Sequence, residues 1–272
     1  MPVEQEPAIL KIIEHALESR RRKAEAHRHS VLNSEEYIAQ QKRLQHPTAN
    51  FAYAAEFSGI AFTRYPHSRN WLLSTLVDEL QESAYSIYVL MNSGVFHSGQ
   101  RELRYMVECA TKYVHVDQAL PGGASLEERE LFLHHHVPKS SVSPIEDTTL
   151  RMVPAEDFKA EVKSAFKALS SYVHPSRGQL HNRRKRLENG EGPGFESIRT
   201  LEHFVNALSR VYDLVLALVF EGVGPSFTGD VFIQILNDRP EWKFHRTKYC
   251  KIICHYFNYK LERQDHDLAT LS

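Results

Sequence analysis

The stretch Ser68–Met91, SRNWLLSTLVDELQESAYSIYVLM, decides the fold class. Trp71, Leu72, Leu76, Leu80, Ala84, Ile87 and Leu90 recur mostly at three- and four-residue steps, which lays a wide apolar stripe along one side of a helix. The same rhythm appears on either side. Downstream, Ser98–Leu120 turns Leu103, Met106, Val107, Ala110 and Val114 inward and ends at Pro121-Gly122-Gly123. Ser125-Leu126-Glu127-Glu128 then reads as a capping box opening a short helix to about Val137. Upstream, Ile9, Ile12, Ile13, Ala16 and Leu17 mark one face of a helix over Ala8–His29, with the basic run Arg20–Lys23 toward its C-terminal end. Asn33-Ser34-Glu35-Glu36 caps a polar helix to about Gln45, which His46-Pro47-Thr48 breaks before a second, apolar helix over Asn50–Thr63.

The second half continues in kind. Pro138–Val153 has little periodicity and reads as a long loop. Pro154 suits the first turn of a helix running to about Tyr172, with Phe158, Val162, Ala165, Phe166 and Leu169 inward. His174–Phe195 is rich in Gly and Pro and reads mostly as loop. Glu196–Gly222 is a long helix, followed by helices over Gly229–Leu236 and Lys243–Leu261, although Tyr249–Tyr259 is aromatic and β-branched enough for a strand. No hairpin signal, βαβ rhythm or internal repeat appears. The expectation is an all-α helical bundle of at least seven helices, with an N-terminal helical extension over 1–66 and a bundle domain over 67–272.

Composition narrows the function classes. Lys+Arg is 33 and Asp+Glu 34, a net charge of -1, so the chain as a whole is neither a basic nucleic-acid binder nor an acidic tail protein. The 42% hydrophobic and 25% charged shares are those of an ordinary globular domain. Three cysteines, Cys109, Cys250 and Cys254, do not make a disulfide framework and imply a reducing compartment. The N-terminus lacks the pattern of a signal peptide. The longest apolar stretch, Val211–Phe220, is interrupted by Asp213 and falls short of the ~20 residues that span a bilayer. The expected setting is cytoplasmic, with no membrane partner.

Histidine, at 16 residues, invites a search for chemistry. Phosphate-loop, dinucleotide, HExxH and GxSxG motifs are all absent. Cys250 and Cys254 would share a helical face beside His255, but His245 or Cys109 would have to complete a zinc site, and His134-His135-His136 point three ways from a helix. No metal and no cofactor are expected. A local positive patch, however, stands out in the near-neutral chain: Arg177, His181, Arg183, Arg184, Lys185 and Arg186, which suits the phosphates of nucleic acid. The alternative is a solvated loop paired with Glu188 and Glu191. Just upstream, LSSYVHPS places His174 where a helix ends and the basic segment begins, a plausible acid/base group beside a phosphate clamp. Arg101, Arg104 and Glu108 fall on one side of a helix and supply its partners, or else form a polar network that fixes two helices together.

The segments RELRYMVECATKYV (101–114) and LSSYVHPS (169–176) resemble the pairing of an R..E helix with a helix ending in S..VH in the HEPN superfamily of bacterial helical proteins. The resemblance spans roughly Ser68 to Gly222. It implies a helical bundle that dimerises and acts as a metal-independent endoribonuclease, as a toxin or phage-defence effector. A His would take the ribose 2′-hydroxyl proton while an Arg steadies the phosphate, leaving a cyclic phosphate end. The superfamily's signature is an Arg, four to six residues, then a His. That spacing occurs at Arg22–His27, Arg129–His134 and Arg239–His245, whereas three residues separate Arg177 from His181. The competing expectation is a non-catalytic module that binds nucleic acid or a protein partner, with Tyr249, Tyr256, Phe257 and Tyr259 as the dimer or partner surface.

Overall fold

A computed structural model of the chain describes residues 6–63, 66–173, 177–188, 198–231, 236, 239 and 241–257. Among these every regular element is helical: α1 (Glu6–Leu32), α2 (Glu35–Thr63), α3 (Leu72–Asn92), α4 (Phe96–Ala119), α5 (Leu126–His136), α6 (Ala155–Ser170), α7 (Arg177–Glu188), α8 (Ile198–Val223), α9 (Pro225–Val231) and α10 (Lys248–Tyr256). Short 3-10 turns lie at Pro66–Asn70, Ser143–Asp147 and Lys243–Arg246. The chain is all-α.

The core is built by α2, α3, α4 and α8, with α6 and α10 closing its sides. Helix α3 buries Leu72, Leu76, Leu80, Ala84 and Ile87 as its stripe requires, and α4 buries Leu103, Met106, Val107, Ala110 and Val114. Helix α8 runs through the middle, and from Val211 to Phe220 every residue is buried. By length and composition α8 could cross a membrane, contrary to the expectation from its shorter apolar run, but 72% of the qualifying window lies inside the protein.

The predicted break at His46-Pro47-Thr48 does not occur: α2 is one helix with Pro47 in its interior. Of its buried residues, Tyr37, Leu44, Thr48, Phe51, Ala55, Ser58 and Phe62 keep one helical phase through the proline, and Ala52 and Ala54 flank it. Packing of that single stripe outweighs the lost backbone hydrogen bond. Phe51 stacks on Tyr212 of α8 at 4.2 Å. Helix α2 therefore belongs to the bundle core. Of the stretch read as an extension, the part fully bared to solvent is residues 9–23 of α1.

Two other expectations are corrected. The described part of the predicted loop His174–Phe195 is all helix α7, whose sequence RGQLHNRRKRLE holds helix-favouring Arg, Lys, Leu and Gln with no proline. The strand alternative for Tyr249–Tyr259 gives way to α10 over its described part. Tyr249 and Phe257 are each 1% exposed, so of the proposed aromatic surface only Tyr256 faces solvent, and Tyr259 lies outside the described residues.

Candidate nucleic-acid interface

The candidate site forms where α4 passes the C-terminal end of α6. The three- and four-residue steps of α4 bring Arg101, Arg104 and Glu108 to one side, as expected. Arg101 is exposed and its Nε donates to the Tyr172 carbonyl oxygen at 3.0 Å. Arg104 Nε donates to Ser170 Oγ at 3.1 Å, and its Nη1 pairs with Glu108 at 3.2 Å. The Arg104 guanidinium also lies over the Phe166 ring, 4.4 Å from its centroid. Glu108 takes a second cation, Lys112, at 2.5 Å. Arg104, Glu108 and Lys112 are thus largely buried and committed to one another.

The physical reason lies in α6. A helix C-terminus carries unpaired carbonyls and partial negative charge, so cations from a neighbouring helix are stabilising there. Arg101 and Arg104 supply them from one face of α4. Glu108 then balances Arg104 and Lys112. Arg104 and Glu108 thus form part of a polar network between α4 and α6, with side chains 11% and 14% exposed.

His174 lies outside the described residues. Tyr172, two residues before it, is held by Arg101. A histidine that sequence reasoning passed over stands here: His97, one turn before Arg101 on α4, sets its ring edge-on to Tyr172 at 5.4 Å. The usable signal was the four-residue spacing from His97 to Arg101.

Helix α7 carries the basic residues. Arg177, Leu180, His181, Arg184, Lys185 and Glu188 are all exposed and recur at three- and four-residue steps, so they share one face. Arg184 pairs along the helix with Glu188 at 3.1 Å, with side chains 82% and 60% exposed, a weak surface contact that a phosphate could displace. Arg183 and Arg186 sit on the α7 backbone, but their side chains lie outside the described residues.

Of the Arg-to-His pairs with nuclease-like spacing, Arg129–His134 is decided by burial. Arg129 is 0% exposed. Its Nη1 pairs with Asp117 at 3.2 Å and its Nη2 donates to the Pro121 carbonyl at 2.8 Å. It is a structural residue. Arg22 and Arg239 are exposed, and the Arg239 guanidinium lies 4.5 Å over the Tyr53 ring.

The cysteines are free. Cys250 is buried at the start of α10 beside Asp213, and burial pushes the Cys254 thiol up to about 12. Among the described residues no group of three or more His, Cys, Asp or Glu side chains is placed to hold a metal ion. No protein-family profile, curated protein or solved structure matches the chain.

Proposed function

We propose that the protein is a helical module that binds the phosphate backbone of RNA through α7. The observation that carries this reading is the exposed basic face of α7, where Arg177, His181, Arg184 and Lys185 stand together on a chain whose net charge is -1. A local cationic helix on a near-neutral protein concentrates attraction for phosphate in one place. Arginine forks suit phosphate oxygens.

Replacing Arg177, Arg184 and Lys185 together by Ala tests it. Affinity for single-stranded RNA should fall at least ~10-fold, and the slope of log K against log salt should flatten by about 2, roughly 0.7 per lost phosphate contact. Unchanged affinity and slope would make α7 ordinary surface.

A second reading, metal-independent RNA cleavage of HEPN type, is favoured by one contact: Arg101, exposed, holds the carbonyl of Tyr172, two residues before His174 in the sequence. In that chemistry the His accepts the 2′-hydroxyl proton, the freed oxygen attacks phosphorus, and the 5′-oxygen leaves with a proton, giving a cyclic phosphate. RNA incubated with the protein and excess EDTA, then examined for cyclic ends, separates the readings. Cleavage that disappears in soluble, stably folded His174→Ala protein supports the second. Intact RNA that is nevertheless bound supports the first.

A further inference from the structure

A cleft of about 560 Å³ opens between α2 and α3, on residues that neither α7 nor the Arg101 cluster uses. Tyr53 of α2 and Tyr85 and Tyr88 of α3 line it, with Gln45, Glu56 and Gln81 among them. Helical spacing brings them together. Positions 45, 49, 52 and 56 recur at three- and four-residue steps along α2, and 81, 85 and 88 do so along α3, so one face of each helix borders the cleft. Tyr85 is 61% exposed, a large ring left in water beside two others. The polar groups are open as well. Glu56 is exposed and has no ion-pair partner among the described residues. Gln81 donates its amide N–H to the Ala52 carbonyl at 3.3 Å, which leaves its amide oxygen as an acceptor.

We propose that this cleft binds an arginine side chain of a partner polypeptide. Charge selects a cation. Residues 44–63 of α2 and the whole of α3 hold four carboxylates, Glu56, Asp78, Glu79 and Glu82, and no Lys or Arg. Glu79 accepts from Tyr105 Oη at 2.9 Å, and the other three are exposed. Tyrosine ring faces attract cations too. The chain's own Arg239 shows the preference, with its guanidinium 4.5 Å over the Tyr53 ring. Hydrogen bonding then selects guanidinium among cations. It is flat enough to stack on a tyrosine, and its five N–H donors suit the Glu56 carboxylate and the glutamine amide oxygens. A quaternary ammonium has no donor to offer them, and a lysine ammonium has no plane to stack. The same carboxylates disfavour other occupants. They repel nucleic-acid phosphate, and they repel the carboxylate of free arginine, which an arginine inside a peptide lacks. The inference is independent of RNA binding by α7.

The probe is a Gly-Arg-Gly peptide, acetylated and amidated so that the guanidinium is its only charge. Titrated at millimolar concentrations into the full chain, it should shift tyrosine ring NMR signals saturably. The peptide with Lys in place of Arg, and free arginine, should each bind at least ~5-fold more weakly. Glu56→Gln should weaken the arginine peptide about 10-fold and Tyr85→Ala about 5-fold, whereas Tyr85→Phe, which keeps the ring, should retain binding. Both positions are exposed, so melting temperatures should not move. Absence of saturable binding overturns the proposal, as does a lysine peptide that binds equally well, or binding indifferent to both Glu56→Gln and Tyr85→Ala. A single-stranded RNA that displaces the peptide, and whose own affinity falls in Tyr85→Ala, would make the cleft a base-stacking platform and overturn it too.

Discussion

Three buried carboxylates hold helix ends in this protein, each from another element. Asp117, near the end of α4, accepts from the Leu72 and Leu73 backbone N–H groups at 3.0 and 2.9 Å and so caps α3. Asp213, inside α8, accepts from the Tyr249 and Cys250 N–H groups, both at 2.9 Å, and caps α10. Glu221 accepts from Arg151, Met152 and Val153 at 2.8, 2.6 and 3.0 Å, fixing the chain that leads into α6. Such groups are tolerated inside only because each carboxylate oxygen finds a donor. Asp117 has the further partner Arg129; burial pushes its carboxyl up to about 6, against the Leu73 and Leu72 N–H groups and the Arg129 charge, which pull it down. Asp117→Asn should destabilise by ~3–5 kcal/mol, because the fully buried Arg129 is left without its countercharge. In denaturant melts, Asp117→Asn combined with Arg129→Met should recover much of that loss. A double variant no better than Asp117→Asn alone would show that the two residues act separately. Glu221 gives a pH test. Burial raises its carboxyl above the ordinary 4.5, outweighing the three N–H donors. The folded state then holds the proton more tightly than the unfolded one. Its extra stability is full below about pH 4.5 and is lost as pH rises through the folded value. The melting-temperature gap between wild type and Glu221→Gln should therefore narrow from pH 4.5 toward neutrality. A gap that widens would reverse the sign of the shift.

Helix boundaries show what a sequence can and cannot carry. The Ser125 capping box was legible because both halves lie within four residues, and both bonds form: Glu128 N–H to Ser125 Oγ at 3.2 Å and Ser125 N–H to the Glu128 carboxylate at 2.7 Å. The stripes of α3, α4, α6 and α8 were legible because burial enforces their period. Helix α2 was misread because a local rule, proline as a breaker, was outvoted by a tertiary one. Two faces in phase on either side of Pro47 pack on α3 and α8 together. Helix α7 was misread because it is polar nearly all round and offers no stripe. The candidate site was half legible. Helical spacing put Arg101, Arg104 and Glu108 on one side and Lys112 within reach of Glu108, but nothing local says that Ser170 and Phe166 of α6 meet Arg104 there. Pro47 yields a test at this scale. It removes one backbone donor from a helix interior without ending the helix, so Pro47→Ala should stabilise by ~1–3 kcal/mol in chemical denaturation. A neutral or destabilising result would mean that the proline's own contacts matter more than the missing bond.

At the scale of the whole molecule, the bundle is set by how closely α8 can approach its neighbours. Gly99 of α4 lets that helix come near Phe204 of α8, where an added Cβ would stand 3.1 Å from the ring's Cζ. Gly222, near the end of α8, is tighter. A Cβ there would run into Leu73 Cδ2 of α3 and stand 3.0 Å from Val114 Cγ2 of α4. Three core helices meet at a point where only a hydrogen fits. Leu73 and Val114 are each 0% exposed, so neither side chain can yield toward solvent. In a helix, replacing glycine with alanine ordinarily stabilises by ~0.5–1 kcal/mol through propensity and chain entropy. Gly222→Ala should do the opposite and destabilise by ~1–3 kcal/mol, since overpacking forces rotamers and backbone to shift. Gly123→Ala is the control: nothing lies within 4 Å of the Cβ it would add. Its effect should stay within about 0.5 kcal/mol of zero or be mildly stabilising. Urea melts of both variants read the comparison directly. Equal effects at the two positions would mean that α8 can shift away from α3 and α4 at little cost, and that the triple contact at Gly222 does not set the bundle's geometry.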